Sequence, residues 1–329
     1  MANEESLEIP TTLEAAPTVT EVSTSLQVKD FDGIAPSTLL PVVDSSLEQA
    51  KLLETTGISG NNELSRSAMY RSPDQANFLR DHMGKLPVDA KLDVLNIGPA
   101  NAEEATVIGV LAENNDMLPR TDITYVDVLP AEKVKPVNDL GKNFIGAPIE
   151  PPRADIKGYV LEAGTWHPAK PVQEFVAKSL KNPGNYWGTA VEDYCGKTKD
   201  DPKRYSLVTF NNVAQYLGQG VAKYDNPFYK PEGDFKPFQA VVLSVAEKTD
   251  MNGLLFANIS PGIVGKPDRA VDRRAVAKYL KEGTNFDDIF DTLNPVSGIY
   301  RRKSTEPLQI KKPVSKVPST GKIVANGIK

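Results

Sequence analysis

The chain has 329 residues, enough for one large α/β domain or two smaller ones. Hydrophobic content of 40% and charged content of 25% are those of a soluble globular protein, and a net charge of -5 gives no argument for a nucleic-acid partner. No apolar run approaches the roughly 20 residues that cross a bilayer, the acidic Met1-Ala2-Asn3-Glu4-Glu5 start is not a secretory signal, and Cys195, the single cysteine, excludes an intrachain disulfide. A cytoplasmic monomer without membrane insertion is expected.

Residues 1–50 carry nine acidic side chains against Lys29 alone, are rich in Thr, Ser and Pro, and lack periodicity. They read as a disordered acidic segment. Residues 304–329 hold Pro307, Pro313 and Pro318 among lysines and serines and read as a flexible basic tail. The two ends are oppositely charged and could attract each other. The folded body is expected over 51–303.

Within it, Ser72-Pro73-Asp74-Gln75 has the capping hydroxyl, first-turn proline and glutamine of a helix start, and Phe78, Leu79 and Met83 continue an apolar helical face. Leu92-Asp93-Val94-Leu95-Asn96-Ile97 reads as a strand ending at Gly98. Asn101-Ala102-Glu103-Glu104 reads as a capping box opening the next helix. Ile123-Thr124-Tyr125-Val126 is a second strand ending at Asp127, Lys157–Leu161 a third and Tyr205–Phe210 a fourth. A helix over Phe238–Lys248 precedes a fifth strand at Gly253–Ala257. Gly298–Arg302 reads as a closing strand, antiparallel at the edge. Residues 136–204, with prolines and isolated aromatics, read as an insertion or cap. Alternation of this kind predicts a mostly parallel sheet with helices on both faces.

Open α/β sheets bind ligands at the carboxyl ends of their strands. Gly98 followed by a helix N-terminus offers backbone amides to a ligand, and Asp127 can accept hydrogen bonds from a ribose. Gly98-Pro99-Ala100-Asn101-Ala102 matches neither G-x-G-x-x-G nor a P-loop, so a phosphate would meet few glycines and no lysine. An adenosine ligand without phosphates suits the pattern, S-adenosylmethionine being the obvious one.

Four blocks, in order, resemble the CheR-type chemotaxis receptor methyltransferases of bacteria, a family of class I S-adenosylmethionine enzymes: Ser67-Ala68-Met69-Tyr70-Arg71, Gly98-Pro99-Ala100-Asn101-Ala102-Glu103-Glu104, Tyr125-Val126-Asp127-Val128-Leu129, and Phe210-Asn211-Asn212-Val213-Ala214-Gln215-Tyr216-Leu217. The resemblance implies a Rossmann-like class I methyltransferase fold, S-adenosylmethionine as cofactor, and a protein substrate or small-molecule methyl acceptor. It implies that Arg71 lies near the reactive methyl and that Tyr216 flanks the active site. It also implies that Ser67 sits beside the methionine moiety, that Glu103 (or Glu104) binds the cofactor's amino group, that Asp127 holds the ribose and that Asn212 contacts the cofactor. The Gly98 turn would cradle the ligand. Ala102 stands where the family's turn has glycine, and Asn211 where its strand end has arginine.

A carboxylate attacking a sulfonium methyl needs no general base, so positioning and charge placement carry such chemistry. Nothing then requires His82, His167 or Cys195 at the site. A methyltransferase fold retained as a binding module, motivated by Ala102 and Asn211, and an unrelated nucleotide-binding reductase are the other readings.

Overall fold

A computed structural model describes residues 32–40, 73–99, 102–134, 136, 157–162, 165–211, 213, 235–258 and 274–312. Parallel pairing joins β2 (Leu92–Ile97) to β3 (Thr121–Asp127) and β7 (Tyr205–Asn211), β3 to β6 (Tyr186–Gly188), and β7 to β8 (Thr249–Asn258). The sheet is completed by β9 (Phe290–Asn294) and β10 (Ile299–Arg302), giving the order β6-β3-β2-β7-β8-β10-β9. Only β10 runs against the rest. It pairs antiparallel with both β8 and β9, so the antiparallel strand lies one place in from the edge that the sequence assigned to it.

Helices cover both faces, as parallel strands require. On one face lie α1 (Pro73–Met83), α2 (Glu103–Asn114) and α3 (Lys170–Lys181), which pack on Val94, Ile123, Tyr125, Leu207 and Phe256. On the other lie α4 (Val191–Lys197), α5 (Phe235–Glu247), α6 (Arg274–Lys281) and the short α7 (Phe286–Ile289), packed on Leu95, Ile97, Val126, Val208 and Phe210. Successive strand residues alternate between these two cores, the period of two that a pleated strand imposes.

Several expectations are corrected. The third strand predicted at Lys157–Leu161 is β4 (Tyr159–Glu162), and it pairs only with β5 (Thr165–Pro168) in a separate hairpin. The stretch 136–204, expected as an insertion or cap, supplies α3, the sheet strand β6 and α4 in its described part. The hairpin does not cap the strands' carboxyl ends. The Lys157 and Gly158 amides donate to Asn114 Oδ1 at 3.1 and 2.7 Å, docking it on the C-terminal end of α2.

Nor are the ends wholly without structure. Within 1–50, β1 (Gly33–Ile34) pairs antiparallel with β11 (Ile310–Lys311), and the 3-10 turn Pro36–Leu39 packs against α5. Asp32 and Lys312 form an exposed ion pair at 2.7 Å, a local form of the expected attraction between the two ends. Residues 304–312, expected as part of the flexible basic tail, are held by Arg302 at the end of β10. Arg302 is 3% exposed, and its guanidinium donates to the carbonyls of Ser304, Glu306, Glu247 and Thr249. Leu308 and Ile310 are buried as a result.

Cys195 is fully buried, and burial, then Glu192, pushes its thiol up to about 12. His82, near the end of α1, is held below its usual value by burial first, then by Arg301 and Lys85. A group with a depressed folded pKa adds stability above the unfolded value of 6.5 and loses it as pH falls through the folded pKa. Urea titrations at pH 7.5 and 5.5 are therefore expected to show the wild type losing more stability on acidification than a His82→Phe variant.

Candidate functional site

Chain order in the sheet reverses between β2 and β7: β3 and β6 are added on one side, and the chain then crosses to β7 and β8 on the other. Such a switch point leaves a crevice at the carboxyl ends of the strands. On the face covered by α1 and α2, every neighbouring strand changes from apolar to polar there. β2 runs Leu92, Val94, Asn96; β3 runs Ile123, Tyr125, Asp127; β7 runs Leu207, Thr209, Asn211; and β8 runs Leu254, Phe256, Asn258. All the polar ends are buried, with Asn96 and Thr209 at 0% exposure.

Among them runs a connected set of side chains. Gln75, in the first turn of α1, and Asn211 form a reciprocal amide pair: Gln75 Nε2 donates to Asn211 Oδ1 at 3.1 Å, and Asn211 Nδ2 donates to Gln75 Oε1 at 3.0 Å. The remaining Gln75 proton goes to the Ser297 carbonyl at 2.8 Å, and the remaining Asn211 proton to Glu104 Oε1 at 2.7 Å. Asn96 Nδ2 donates to Glu104 Oε2 at 3.2 Å. The orientation of both amides of the pair is thereby fixed, because the carbonyl at one end and the carboxylate at the other only accept. Asn96 Oδ1 and the Thr209 hydroxyl, opposite each other in register, have no hydrogen-bond partner within the protein.

The local sequence explains part of this. The cap residues of both predicted capping boxes, Ser72 and Asn101, lie outside the described residues, and the Gln75 and Glu104 side chains reach inward to bond across the helix–sheet interface. Helix α2 begins at Glu103 with Ala102 as its N-cap, in the left-handed region at φ 56°, with no side-chain cap. Asp74 in the first turn of α1 accepts from Ser297 Oγ at 2.6 Å and Asn294 Nδ2 at 3.1 Å, tying that turn to the β9–β10 connection.

Of the site residues expected from sequence, Gly98, Glu103 and Asp127 are brought together at this pole. Gly98 donates its amide to the Val126 carbonyl at 2.8 Å, so it stands beside Asp127 across the β2–β3 ladder. It has φ +69°, and a Cβ there would lie 2.4 Å from Val213 Cγ2, so the turn needs glycine on both counts. Asp127 Oδ1 accepts the Leu129 amide at 2.9 Å, which shapes the turn after β3. Tyr186 closes the same turn by donating to the Leu129 carbonyl at 2.6 Å; burial, and next Asp127, raise its phenol above the usual range. Glu103, 6% exposed, opens α2 beside Glu104. Arg71, Ser67, Asn212 and Tyr216 lie outside the described residues.

Gln75, Asn96 and Asn211 were not foreseen as site residues. The signal for Asn96 and Asn211 was an amide at a strand's carboxyl end; Gln75 looked like a capping glutamine. The acceptor-rich chemistry suits a ligand that brings donors, hydroxyls or an ammonium group, and disfavours a phosphate. Among the described residues no His, Cys, Asp and Glu cluster is arranged to hold a metal ion, and no helix is long and apolar enough to cross a membrane.

No protein-family model matches this sequence, and no curated protein matches it significantly. Solved structures similar to it include methyltransferases. The N-methyltransferase NodS from Bradyrhizobium japonicum WM9, in complex with S-adenosyl-L-homocysteine, is 11% identical and has a TM-score of 0.34, covering 75% of this chain and 97% of its own. An O-methyltransferase family protein from Burkholderia thailandensis is 8% identical with a TM-score of 0.32, covering 71% of this chain and 57% of its own. A putative SAM-dependent methyltransferase from Streptococcus mutans is 10% identical with a TM-score of 0.30, covering 71% and 48%. At these TM-scores the likenesses carry no argument, and the fold rests on the strand order. That order is a Rossmann-like α/β sheet, mostly parallel, with one antiparallel strand and helices on both faces.

Replacing Glu104 separates its charge from its accepting geometry. Glu104→Leu leaves the Asn96 and Asn211 donors buried without an acceptor and is expected to cost about 2–3 kcal/mol or more. Glu104→Gln is expected to cost about 1 kcal/mol, because a flipped Asn96 can turn its unpartnered Oδ1 toward the new amide. Urea unfolding of the two variants measures the difference.

Proposed function

We propose that the protein is an S-adenosylmethionine-dependent methyltransferase whose cofactor lies at the carboxyl ends of β2, β3 and β7. The observation that carries this reading is the set of polar residues delivered to one pole by adjacent strands, with the Gly98 turn bonded to β3 next to Asp127 and Glu103 opening the helix that follows β2. The ordered sequence blocks support it, as do the acceptor-rich chemistry and the lack of a phosphate cradle.

In this reading Asp127 accepts the ribose hydroxyls, Glu103 the ammonium group, and the Gly98 turn lets the backbone approach the ligand. Ser67 and Asn212 complete the cofactor contacts, and Arg71 and Tyr216 border the methyl acceptor. The cofactor supplies an electrophilic methyl on a sulfonium centre. The chain's own task is then to hold the acceptor in line and to place negative charge near the cation, without a general base if the acceptor is a carboxylate. Burial of Cys195 and the position of His82 at the far end of α1 agree with a mechanism that uses neither. The acceptor class follows from the resemblance alone: a protein carboxylate, of the chemotaxis-receptor kind, is the finer proposal, and a small molecule the other candidate.

A methyltransferase fold kept as a binding module is the second reading. It is favoured by Val213, whose side chain fills the space beside Gly98 at the switch point.

Calorimetric titration with S-adenosylhomocysteine separates the readings. The enzyme reading expects binding, weakened at least tenfold, about 1.4 kcal/mol, by Asp127→Ala. No heat at millimolar ligand would sink it and leave the binding module.

A further inference from the structure

We infer that Gln75 and Asn211 are positioning residues, which act through Glu104 to hold the first turn of α2 at the amino-acid end of the proposed cofactor. The inference rests on the methyltransferase reading above and extends it to residues that would not touch the ligand.

Three observations carry it. First, both side chains are buried, Gln75 at 0% and Asn211 at 4% exposure, and every N–H of their two amides is used. A burial-only role would be served by apolar side chains of the same shape, since replacing both members of a buried polar pair can be nearly neutral. Second, the pair ends on an ionised-type acceptor. Asn211 reaches Glu104 Oε1 at 2.7 Å, while Asn96 reaches the other oxygen, so the carboxylate is gripped from two strands on either side of the switch point. Third, Glu104 belongs to the turn that also bears Glu103 and begins directly after an uncapped left-handed Ala102. Ala102 has no side chain to cap that turn, and among the described residues the grip on Glu104 is what ties it to the sheet strands β2 and β7. The Ser297 carbonyl anchors the far end of the chain of amides, and Asp74 ties α1 to the same β9–β10 connection. The result is a rigid strut from the β9–β10 turn through α1 and β7 to α2.

A strut of this kind predicts an effect confined to one part of the ligand. S-adenosylhomocysteine carries the amino-acid group that would face the first turn of α2; 5′-methylthioadenosine has the same adenosine and lacks it. Full-length wild type, Gln75→Met and Gln75→Asn would be titrated with both compounds, below each variant's unfolding midpoint as measured by circular dichroism. The expected result is a loss of at least tenfold in affinity for S-adenosylhomocysteine with Gln75→Met, a smaller loss with the shortened amide of Gln75→Asn, and affinity for 5′-methylthioadenosine within twofold of wild type. An Asn211→Leu change added to Gln75→Met should weaken binding little further, since the two act as one unit. Wild-type affinity for S-adenosylhomocysteine in folded variants overturns the inference and leaves the methyltransferase reading standing. Equal losses for both compounds also overturn it, because they mean general loosening of the site. If the wild type binds neither compound, the methyltransferase reading fails and this inference with it. Should Gln75→Met not fold, Gln75→Asn alone decides by the same comparison.

Discussion

A carboxylate shut inside a helix–sheet interface has to be answered by donors, and the donors here come from separate parts of the chain. Glu104 is 6% exposed. An unanswered charge at such a site costs several kcal/mol, so the fold is committed to bringing Asn96 and Asn211 to it. That fixes β2 against β7 at the point where strand order reverses. Gln75 in turn requires α1 to arrive at the end of β7. The polar pole is thus as tightly specified as the two apolar cores beneath it, by direction of hydrogen bonds where the cores use shape.

The consequence for function is a division of the sheet along its length. The central parts of β2, β3, β7 and β8 feed apolar side chains to the cores on both faces and supply the stability of a parallel sheet. The last one or two residues of β2, β3, β7 and β8 include an amide or an acid: Asn96, Asp127, Asn211 and Asn258. The hairpin β4–β5, which might have covered that end, is fastened instead to the C-terminal end of α2 by Asn114. Helix α2 starts at the polar pole and ends at the opposite one, so a hairpin tied to its last turn is far from the crevice. The same geometry puts Gly98, Asp127 and the start of α2 at the pole away from the hairpin, where the proposed cofactor would meet them.

How much of this was legible in the sequence varies by element for physical reasons. The strands ending at Gly98, Asp127 and Asn211 were readable because a buried parallel strand is a short run of apolar residues closed by a polar one. The strand β6 was not: Tyr186-Trp187-Gly188 is three residues long and sits at the sheet edge. Strand β9 was missed because Phe290-Asp291-Thr292-Leu293-Asn294 has only one fully buried side chain. The order of the tail was hidden by Arg302, whose charge reads as solvated until four carbonyls are seen around it. At the site, Gly98 and Asp127 came from local turn and strand-end chemistry and Glu103, with Glu104 as its alternative, from the family resemblance, whereas Gln75 was read only as part of a capping box within its own helix.

The sequence by itself determined the class of the fold, the alternation of strand and helix, and the polar residues that end the strands. Each of these follows from periodicity or from side chains a few positions apart. The tertiary structure alone decided that Gln75 answers Asn211 across 136 residues of chain and that Asn211 answers Glu104 across 107. An amide donates and accepts equally well with water, with its own backbone or with a distant partner, so nothing in its local sequence names the partner. Only the crossover that sets β7 beside β2 brings the groups within reach.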